Sequence, residues 1–586
     1  MTAPNRNTLW ARAFVSELAA GGVDGVCLAP GSRSTPLTAA VAEHPDLRAF
    51  SHLDERSAAY FALGRGRRTG RPTPVVCTSG TAAANFHPAV IEASQSRVPL
   101  LVLTADRPPE LADSGANQTI DQEKLYGDAV RWYRDMPEPE PEPRKLRMLR
   151  TTAARALSAA TGANPGPVHL NFRFRKPLEP TPVAGDVPED LPAEAPRGAR
   201  GRDGPYVTTS RGTPDLAAND RARIVEAVEA ADRGLIVAGP ADGGLSRAAL
   251  SRLAATTGFP VLADPLSDLR FGPHLRETDV PVCGGYDSYL DAPAVADWPA
   301  PDVVLRFGAS PTSKVLRHYL RDADARQFVV DPAGGWREAE FAATDLVVAD
   351  ECRLAGQVAD GVASRAIPNW PDRFAAAERG YWEAVADACA EQFFEGALLR
   401  EVAALAPDPA TVFVSNSMPV RDLDRFGEPR GADLTVLGNR GASGIDGIVS
   451  TALGAGSATD EPLVLVTGDL AYYHDMNGLL ALSRCDVDAT VVLVNNDGGG
   501  IFHLLPIEEF DPPFTDQFKT PHGLDFAPTA DLYDLTFERA DDRDAFAAAF
   551  QESVAGPGTD VIEVPLDAER SHRFRETLHE RVADRL

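Results

Sequence analysis

"PLVLVTGDLAYYHDMNGLLALSRCDVDATVVLVNNDGGG", residues 462–500, contains two β-branched runs that each end in polar residues and glycine. The first run stops at Gly468-Asp469 and the second at Asn495-Asn496, with "HDMNGLLALSR" between them as a crossover helix. A strand–helix–strand unit of this kind sets its strands parallel. Ligands of open parallel sheets sit at the carboxyl ends of the strands, so Asp469 and the asparagine pair are expected at one binding edge. A carboxylate, a carboxamide oxygen and a loop carbonyl form a hard oxygen set that suits Mg2+ rather than zinc. One carboxylate is too few to hold the ion, and phosphate and water normally complete such a shell. The glycines let backbone N–H groups approach an anion, and a helix beginning near Ile501 would add its positive end. The stretch reads as a Mg2+–diphosphate site. The plainer alternative is a glycine-rich turn with Asp469 as a helix cap. Gly-Asp, then twenty-six residues, then Asn496 in this context favours the site.

The same alternation runs through the chain. "PVVCTSG", the helical "TAAANFHPAVIEASQS" and "VPLLVLTAD" follow one another near the start. "GLIVAGP", "PVLADP" and "DVVLRFG" occupy the middle, and "TVFVSN" and "DLTVLGN" precede the opening stretch. Apolar strands separated by helices imply parallel sheets covered on both faces. The predicted fold class is α/β, with three doubly wound parallel-sheet domains. A Pro-, Gly- and charge-rich segment reads as a linker at 181–212, and a weaker break lies at 364–373. The expected domains are 1–180, 213–363 and 364–586. "DMPEPEPEPRK", 135–145, reads as a proline-rich insertion or helix connection.

Length and composition bound the rest. A chain of 586 residues is too long for one core. The net charge of −28 repels nucleic acid and anionic membranes, so neither is an expected partner. Only Lys124, Lys145, Lys176, Lys314 and Lys519 are lysines. An acidic, lysine-poor chain suits a salt-loving organism, where salt screens self-repulsion. Six scattered cysteines without a C-x-x-C pair suggest buried, reduced thiols. No apolar run approaches the ~18 residues of a membrane span. "MTAPNRNTLWARAF" lacks a signal peptide's apolar region, so a soluble, cytoplasmic protein is expected.

The metal motif resembles that of thiamine-diphosphate enzymes, which have pyrimidine-binding, central and diphosphate-binding α/β domains in this order. The resemblance implies Asp469, Asn496 and the Gly498 carbonyl as ligands of Mg2+ or Mn2+. Gly468, Gly499 and Ile501 fall beside them as cofactor contacts. It implies Glu55, in "SHLDERSAAYFALGRG", as the carboxylic acid at the pyrimidine N1′, and Ile445, in "NRGASGIDGIVSTALGAG", as the aliphatic support of the bent cofactor. An acid in a helix's first turn is by itself commonplace, and the assigned role needs burial to outweigh the helix dipole. Asp497 departs from the family, which more often carries a third carboxamide there. A carboxylate at that place must turn away from a diphosphate or pair with metal.

"LAPGSRSTPLTAAV", "TADRPPELADSGANQTIDQ", "FGASPTSKVL", "SNSMPVRDLD" and "NRGASGIDG" resemble one branch: the 2-succinyl-5-enolpyruvyl-6-hydroxy-3-cyclohexene-1-carboxylate (SEPHCHC) synthases of menaquinone biosynthesis. That family decarboxylates 2-oxoglutarate and adds the succinyl carbanion equivalent to isochorismate. Guanidinium forks suit two dicarboxylate substrates because they bind carboxylates in bidentate fashion and stay charged. By the resemblance, Arg33, Arg107 and Lys314 face isochorismate, with Asn117 and Gln118 as polar contacts. Arg421 and Arg440 face the distal carboxylate of 2-oxoglutarate, with Ser417 nearby. Phe502 and Leu505 would form an apolar wall, and His503 is a weaker candidate for proton transfer. A homodimer is implied, with Glu55 completing the site of another subunit's Asp469, and a homotetramer is common. The rivals are another thiamine enzyme, such as an acetohydroxyacid synthase or 2-oxoacid decarboxylase, and a nucleotide-binding α/β protein without catalysis. "VAGPADGG" lacks the G-x-G-x-x-G that the last would need.

Overall fold

The computed structural model describes residues 3–241, 244–277, 279–364, 367 and 369–585. Among them lie three six-stranded sheets. The first has β1 (Gly25–Leu28), β2 (Arg48–Ser51), β3 (Thr73–Cys77), β4 (Leu100–Asp106), β5 (Trp132–Met136) and β6 (Pro167–Arg173), in the order β2-β1-β3-β4-β6-β5. The second has β7 (Gly234–Ala238), β8 (Val261–Ala263), β9 (Val282–Cys283), β10 (Val303–Phe307), β11 (Arg326–Val330) and β12 (Asp345–Val347), in the order β12-β11-β10-β7-β8-β9. The third has β13 (Ala410–Val414), β14 (Leu434–Leu437), β15 (Leu463–Gly468), β16 (Ala489–Asn495), β17 (Thr536–Arg539) and β18 (Thr559–Pro565), in the order β14-β13-β15-β16-β18-β17. All pairings within the sheets are parallel. The first and third sheets share one topology: each reverses at a switch point, β1/β3 and β13/β15, and turns back again at its far edge, where β6 and β18 lie inside β5 and β17.

Burial explains the strand composition. β3 and β4 are buried at every residue, whereas the edge strands β2 and β17 expose Arg48, Glu538 and Arg539. Helices covering both faces demand apolar central strands, and charged side chains blunt the edges.

The chain forms two compact units. The first comprises Met1–Arg211, Asn439–Asp460 and His474–Val487, and the second Gly212–Gly438, Glu461–Tyr473 and Asp488–Leu586. Within the first, the helix Ile448–Gly456 crosses the helix Glu55–Thr69 at glycines. A Cβ on Gly64 would stand 1.9 Å from the Thr451 carbonyl oxygen, and one on Gly454 2.1 Å from that of Phe61. Only glycine permits so close an approach of two helix backbones.

Residues 181–211 do not span open space. Asp186 accepts from the backbone N–H of Arg6 at 2.7 Å and from its Nε at 2.6 Å. Arg150 donates to the carbonyls of Gly198 and Ala199 at 2.9 and 3.1 Å. The proline-rich stretch after β5 leads into the helix Pro143–Ala160, whose first N–H groups are capped by Glu142. In the second sheet the order matches that of dinucleotide-binding folds. Its switch point is nonetheless filled: a Cβ on Gly239 would lie 1.7 Å from the Ala309 oxygen, and Gly239 N–H donates to Phe307 at 2.8 Å. The loops after β7 and β10 meet there backbone to backbone, with Ala309 N–H donating to the Pro240 carbonyl at 2.8 Å.

Candidate active site

In the second unit β15 and β16 are neighbours, with Gly468 opposite Val494. Asp469 and Asn496 therefore leave the same sheet edge. The Asp469 carboxylate is 2% exposed. One of its oxygens accepts from Leu470 N–H at 2.6 Å, and the other from Asn496 N–H at 3.2 Å and Gly498 N–H at 2.9 Å. Burial raises its pKa, opposed by the N–H groups of Gly498 and Leu470 and by His522. Asn496 Nδ2 donates to Glu395 at 2.7 Å, while its buried Oδ1 accepts no hydrogen bond among the described residues. The Gly498 carbonyl accepts from Gly500 N–H at 3.0 Å.

The glycine turn differs from the expected anion cradle. Gly498 N–H serves Asp469, Gly499 N–H serves the Lys519 carbonyl at 2.7 Å, and Gly500 N–H serves Gly498. The glycines here allow a second segment to lie on the turn: a Cβ on Gly498 would meet the Lys519 oxygen at 2.0 Å. Nor does a full helix begin near Ile501. Gly500–Leu504 is one short 3-10 run, too brief to build a macrodipole. The Asp497 carboxylate accepts from the N–H groups of His522 at 2.9 Å and Gly523 at 2.7 Å. Those donors, Gly523 first, lower its pKa. His522 Nδ1 accepts from Leu524 N–H at 3.0 Å, so Nε2 carries the proton and donates to Asp469 at 3.2 Å. His503 is buried on the 3-10 run, its Nδ1 bonded to Glu508 at 2.6 Å. Phe502 is half-buried against Phe518, and Leu505 is exposed.

At the neighbouring strand end, β13 runs into Ser415-Asn416-Ser417 and the helix Met418–Phe426. Ser417 has φ 70° and ψ −129°, a strained backbone for a residue with a side chain. Its carbonyl accepts from Arg421 at 2.6 Å, one turn into the helix. Lys314 opens the helix Lys314–Asp322 after β10, and its side chain is exposed.

In the first unit Glu55 is the first residue of the helix Glu55–Thr69, half-buried, behind the N-cap Asp54. The loop carrying Ile445 is fastened to that same helix. Tyr60 donates to Asp446 at 3.0 Å, and Glu92 takes the N–H groups of Gly441 and Ala442 at 2.8 and 2.6 Å. Ile445 is half-buried there, and Arg440 donates to Ser443 at 3.3 Å. Arg33 and Arg107 sit at the carboxyl ends of β1 and β4. Arg33 is buried and donates to the Phe174 carbonyl at 2.8 Å. Burial and then Arg107 lower its pKa, opposed by Asp106. Arg107 Nε reaches the Gln118 carbonyl at 3.4 Å, and Gln118 Nε2 donates to Ser79 at 3.1 Å. Asn117 is exposed. The structure thus gathers Arg33, Arg107 and Gln118 at one edge of the first unit, and Asp469, Asn496 and Gly498 at one edge of the second.

Three family profiles match in order: "Thiamine pyrophosphate enzyme, N-terminal TPP binding domain" at residues 10–125, "Middle domain of thiamine pyrophosphate" at 203–414, and "Thiamine pyrophosphate enzyme, C-terminal TPP binding domain" at 430–564. The SEPHCHC synthase of Haloarcula marismortui is 70% identical, covering 100% of both chains. The chain belongs to the SEPHCHC synthase family. Relatives of the same name from Halobacterium salinarum and Roseiflexus castenholzii are 63% and 50% identical, covering 99% and 96% of this chain and 99% and 97% of their own. The fold is that of the Rhodococcus jostii RHA1 thiamine diphosphate-dependent 4-hydroxybenzoylformate decarboxylase, with a TM-score of 0.69 at 19% identity, covering 95% of this chain and 99% of that one.

The residues present fit the divalent ion that SEPHCHC synthases and other thiamine-diphosphate enzymes use. A buried carboxamide oxygen without a donor costs ~1–3 kcal/mol, and a cation bound against the Asn496 oxygen would remove that cost. Reading the sequence alone missed Glu395 and His522, which lie far from the motif with no local signal. It also missed Gln122, the last residue of a motif quoted above. Gln122 is buried and accepts from Gly80 N–H at 3.0 Å while donating to Ala105 at 3.2 Å.

Proposed function

We propose that this chain is a transferase that decarboxylates 2-oxoglutarate and joins the resulting succinyl unit to isochorismate, yielding SEPHCHC and CO2 in menaquinone biosynthesis. Full-length identity of 70% to a SEPHCHC synthase carries the reading. The site chemistry agrees with it. Asp469, Asn496 and the Gly498 carbonyl hold Mg2+ or Mn2+, and Gly468, Gly499 and Ile501 border the diphosphate. Bound thiamine diphosphate supplies the electron sink that decarboxylation of a 2-oxoacid requires.

The remaining steps belong to side chains of this chain. Glu55 holds the proton shared with the pyrimidine N1′, and Ile445 supports the ring system from the loop beside it. Arg33 and Arg107 bind the carboxylates of isochorismate, with Asn117, Gln118 and Lys314 as further contacts. Two guanidiniums so close, one with its pKa lowered, make an edge that favours a dianion. Arg421, Arg440 and Ser417 orient the distal carboxylate of 2-oxoglutarate. The strain at Ser417 supports a functional turn there.

Residues 1–180 serve as the pyrimidine-binding part, 213–363 as the central part and 364–586 as the diphosphate and metal part. A homodimer or homotetramer is the working assembly. Exposed apolar side chains near the metal edge, Tyr473, Leu504, Leu505, Phe510 and Leu524, support a surface that a partner subunit covers. The reaction is placed in the cytoplasm, a reading that six free cysteines support. Among the described residues no helix is long and apolar enough to cross a membrane.

The test is turnover in high potassium chloride with Mg2+ and thiamine diphosphate. Isochorismate is expected to disappear only when 2-oxoglutarate is present, with a product of SEPHCHC mass, and not in Glu55→Gln. CO2 release from 2-oxoglutarate or pyruvate with isochorismate untouched would keep thiamine chemistry and overturn the substrate assignment.

A further inference from the structure

We propose that Glu395 is a positioning residue for the metal ion. It fixes the Asn496 carboxamide with its oxygen toward the ion, and Arg575 and Asp422 hold Glu395 in place. The inference rests on the reading of Asp469, Asn496 and Gly498 as the metal shell.

A carboxamide presents an acceptor on one end and two donors on the other, and the two ends are nearly equal in shape. A cation tolerates only the oxygen. An unconstrained Asn496 would present the wrong end for part of the time. Glu395 removes that freedom, because with one oxygen bonded to Arg575 its carboxyl group offers Asn496 the other oxygen as an acceptor. The end of Asn496 that lies 2.7 Å from Glu395 Oε1 must be the NH2 group. Its oxygen is thereby turned to the other side, where it is buried without a donor.

Glu395 is 2% exposed and is held by a buried ion pair. Arg575 of the C-terminal helix Ala568–Arg585 donates to its second oxygen at 2.5 Å and forks onto Asp422 at 2.8 and 2.7 Å. These groups come from three helices, one of which, Met418–Phe426, also carries Arg421. Partners that orient a metal ligand in this way typically change metal affinity by ~10–100-fold when altered.

In Glu395→Gln the new carbonyl turns to Arg575, and its NH2 faces Asn496. That flips the Asn496 carboxamide and aims a donor at the cation. Adding Asn496→Asp reverses the hydrogen bond: the Gln NH2 now donates to a carboxylate, whose other oxygen faces the ion. The swap keeps the number of buried carboxylates beside Arg575.

Mn2+ uptake at saturating thiamine diphosphate, followed by electron paramagnetic resonance, reads the effect without turnover. Glu395→Gln is expected to weaken Mn2+ by ~10–100-fold, and the double variant to return within a few-fold of the native chain. Native affinity in Glu395→Gln, or a double variant no tighter than Glu395→Gln, would overturn the inference while leaving the metal reading intact. Absence of Mn2+ uptake by the native chain would bring down both.

Discussion

Gly498→Ala tests whether the segment around Lys519 truly rests on the metal turn. Gly498 has φ +135°, and an added Cβ would lie 2.0 Å from the Lys519 carbonyl oxygen and 3.3 Å from that of Thr520. A residue with a side chain at such a φ bears ~1–3 kcal/mol of strain. Relieving the contact means opening the gap by more than an ångström, which breaks the 2.7 Å hydrogen bond from Gly499 N–H to Lys519, ~1 kcal/mol net. Overpacking a tight site adds ~1–3 kcal/mol. The total is ~3–7 kcal/mol, concentrated on a turn that gives Asp469 an N–H and whose Gly498 carbonyl is the proposed metal ligand. Even the lower figure is about a hundredfold in affinity. The assay is a calorimetric titration of Mg2+ at saturating thiamine diphosphate, with thermal melting of the ligand-free protein alongside. Gly468→Ala is the stability control, since a Cβ there meets no atom within 4 Å. It should leave the ligand-free melting temperature unchanged, whereas Gly498→Ala should lower it and weaken Mg2+ at least a hundredfold. Native melting and native Mg2+ affinity in Gly498→Ala would refute the packing of residues 514–523 on this turn.

Two further outcomes follow from charge. Asp475 is fully buried, bonded to Ser450 N–H at 2.7 Å and its hydroxyl at 3.0 Å, and burial pushes its pKa up to about 7. The folded chain thus holds a proton that the unfolded chain releases near ~3.9, so this group's stabilisation is full below about pH 4 and lost as pH rises through 7, on the order of 4 kcal/mol. Asp475→Asn, whose amide can make both bonds, should flatten the urea-midpoint profile between those pH values; an unchanged slope would refute the protonated reading. With a net charge of −28, the melting temperature should fall as potassium chloride drops from about 2 M to 0.1 M, where the Debye length grows from under ~3 Å to ~10 Å. A melting temperature flat across that range would show that self-repulsion is not what salt relieves.

The sequence by itself determined the parallel sheets and the places of Asp469 and Asn496 at adjacent strand ends. Both follow from local signals: β-branched runs that must be buried on two faces, and polar residues where those runs stop. It also marked the arginines on the strand-end loops and the family to which the chain belongs. Only the tertiary structure decided what each polar group touches. The glycine N–H groups after Asn496 are spent inside the chain: that of Gly498 on Asp469, that of Gly499 on the Lys519 carbonyl twenty residues later, and that of Gly500 on Gly498. Asp497 is held by two N–H donors, from His522 and Gly523, twenty-five and twenty-six residues on. Asn496 donates to Glu395, 101 residues back along the chain, and Glu395 accepts from Arg575, 180 residues ahead of it. Such choices depend on distances across the fold, and hydrogen bonds between residues so far apart leave no periodic trace in the sequence.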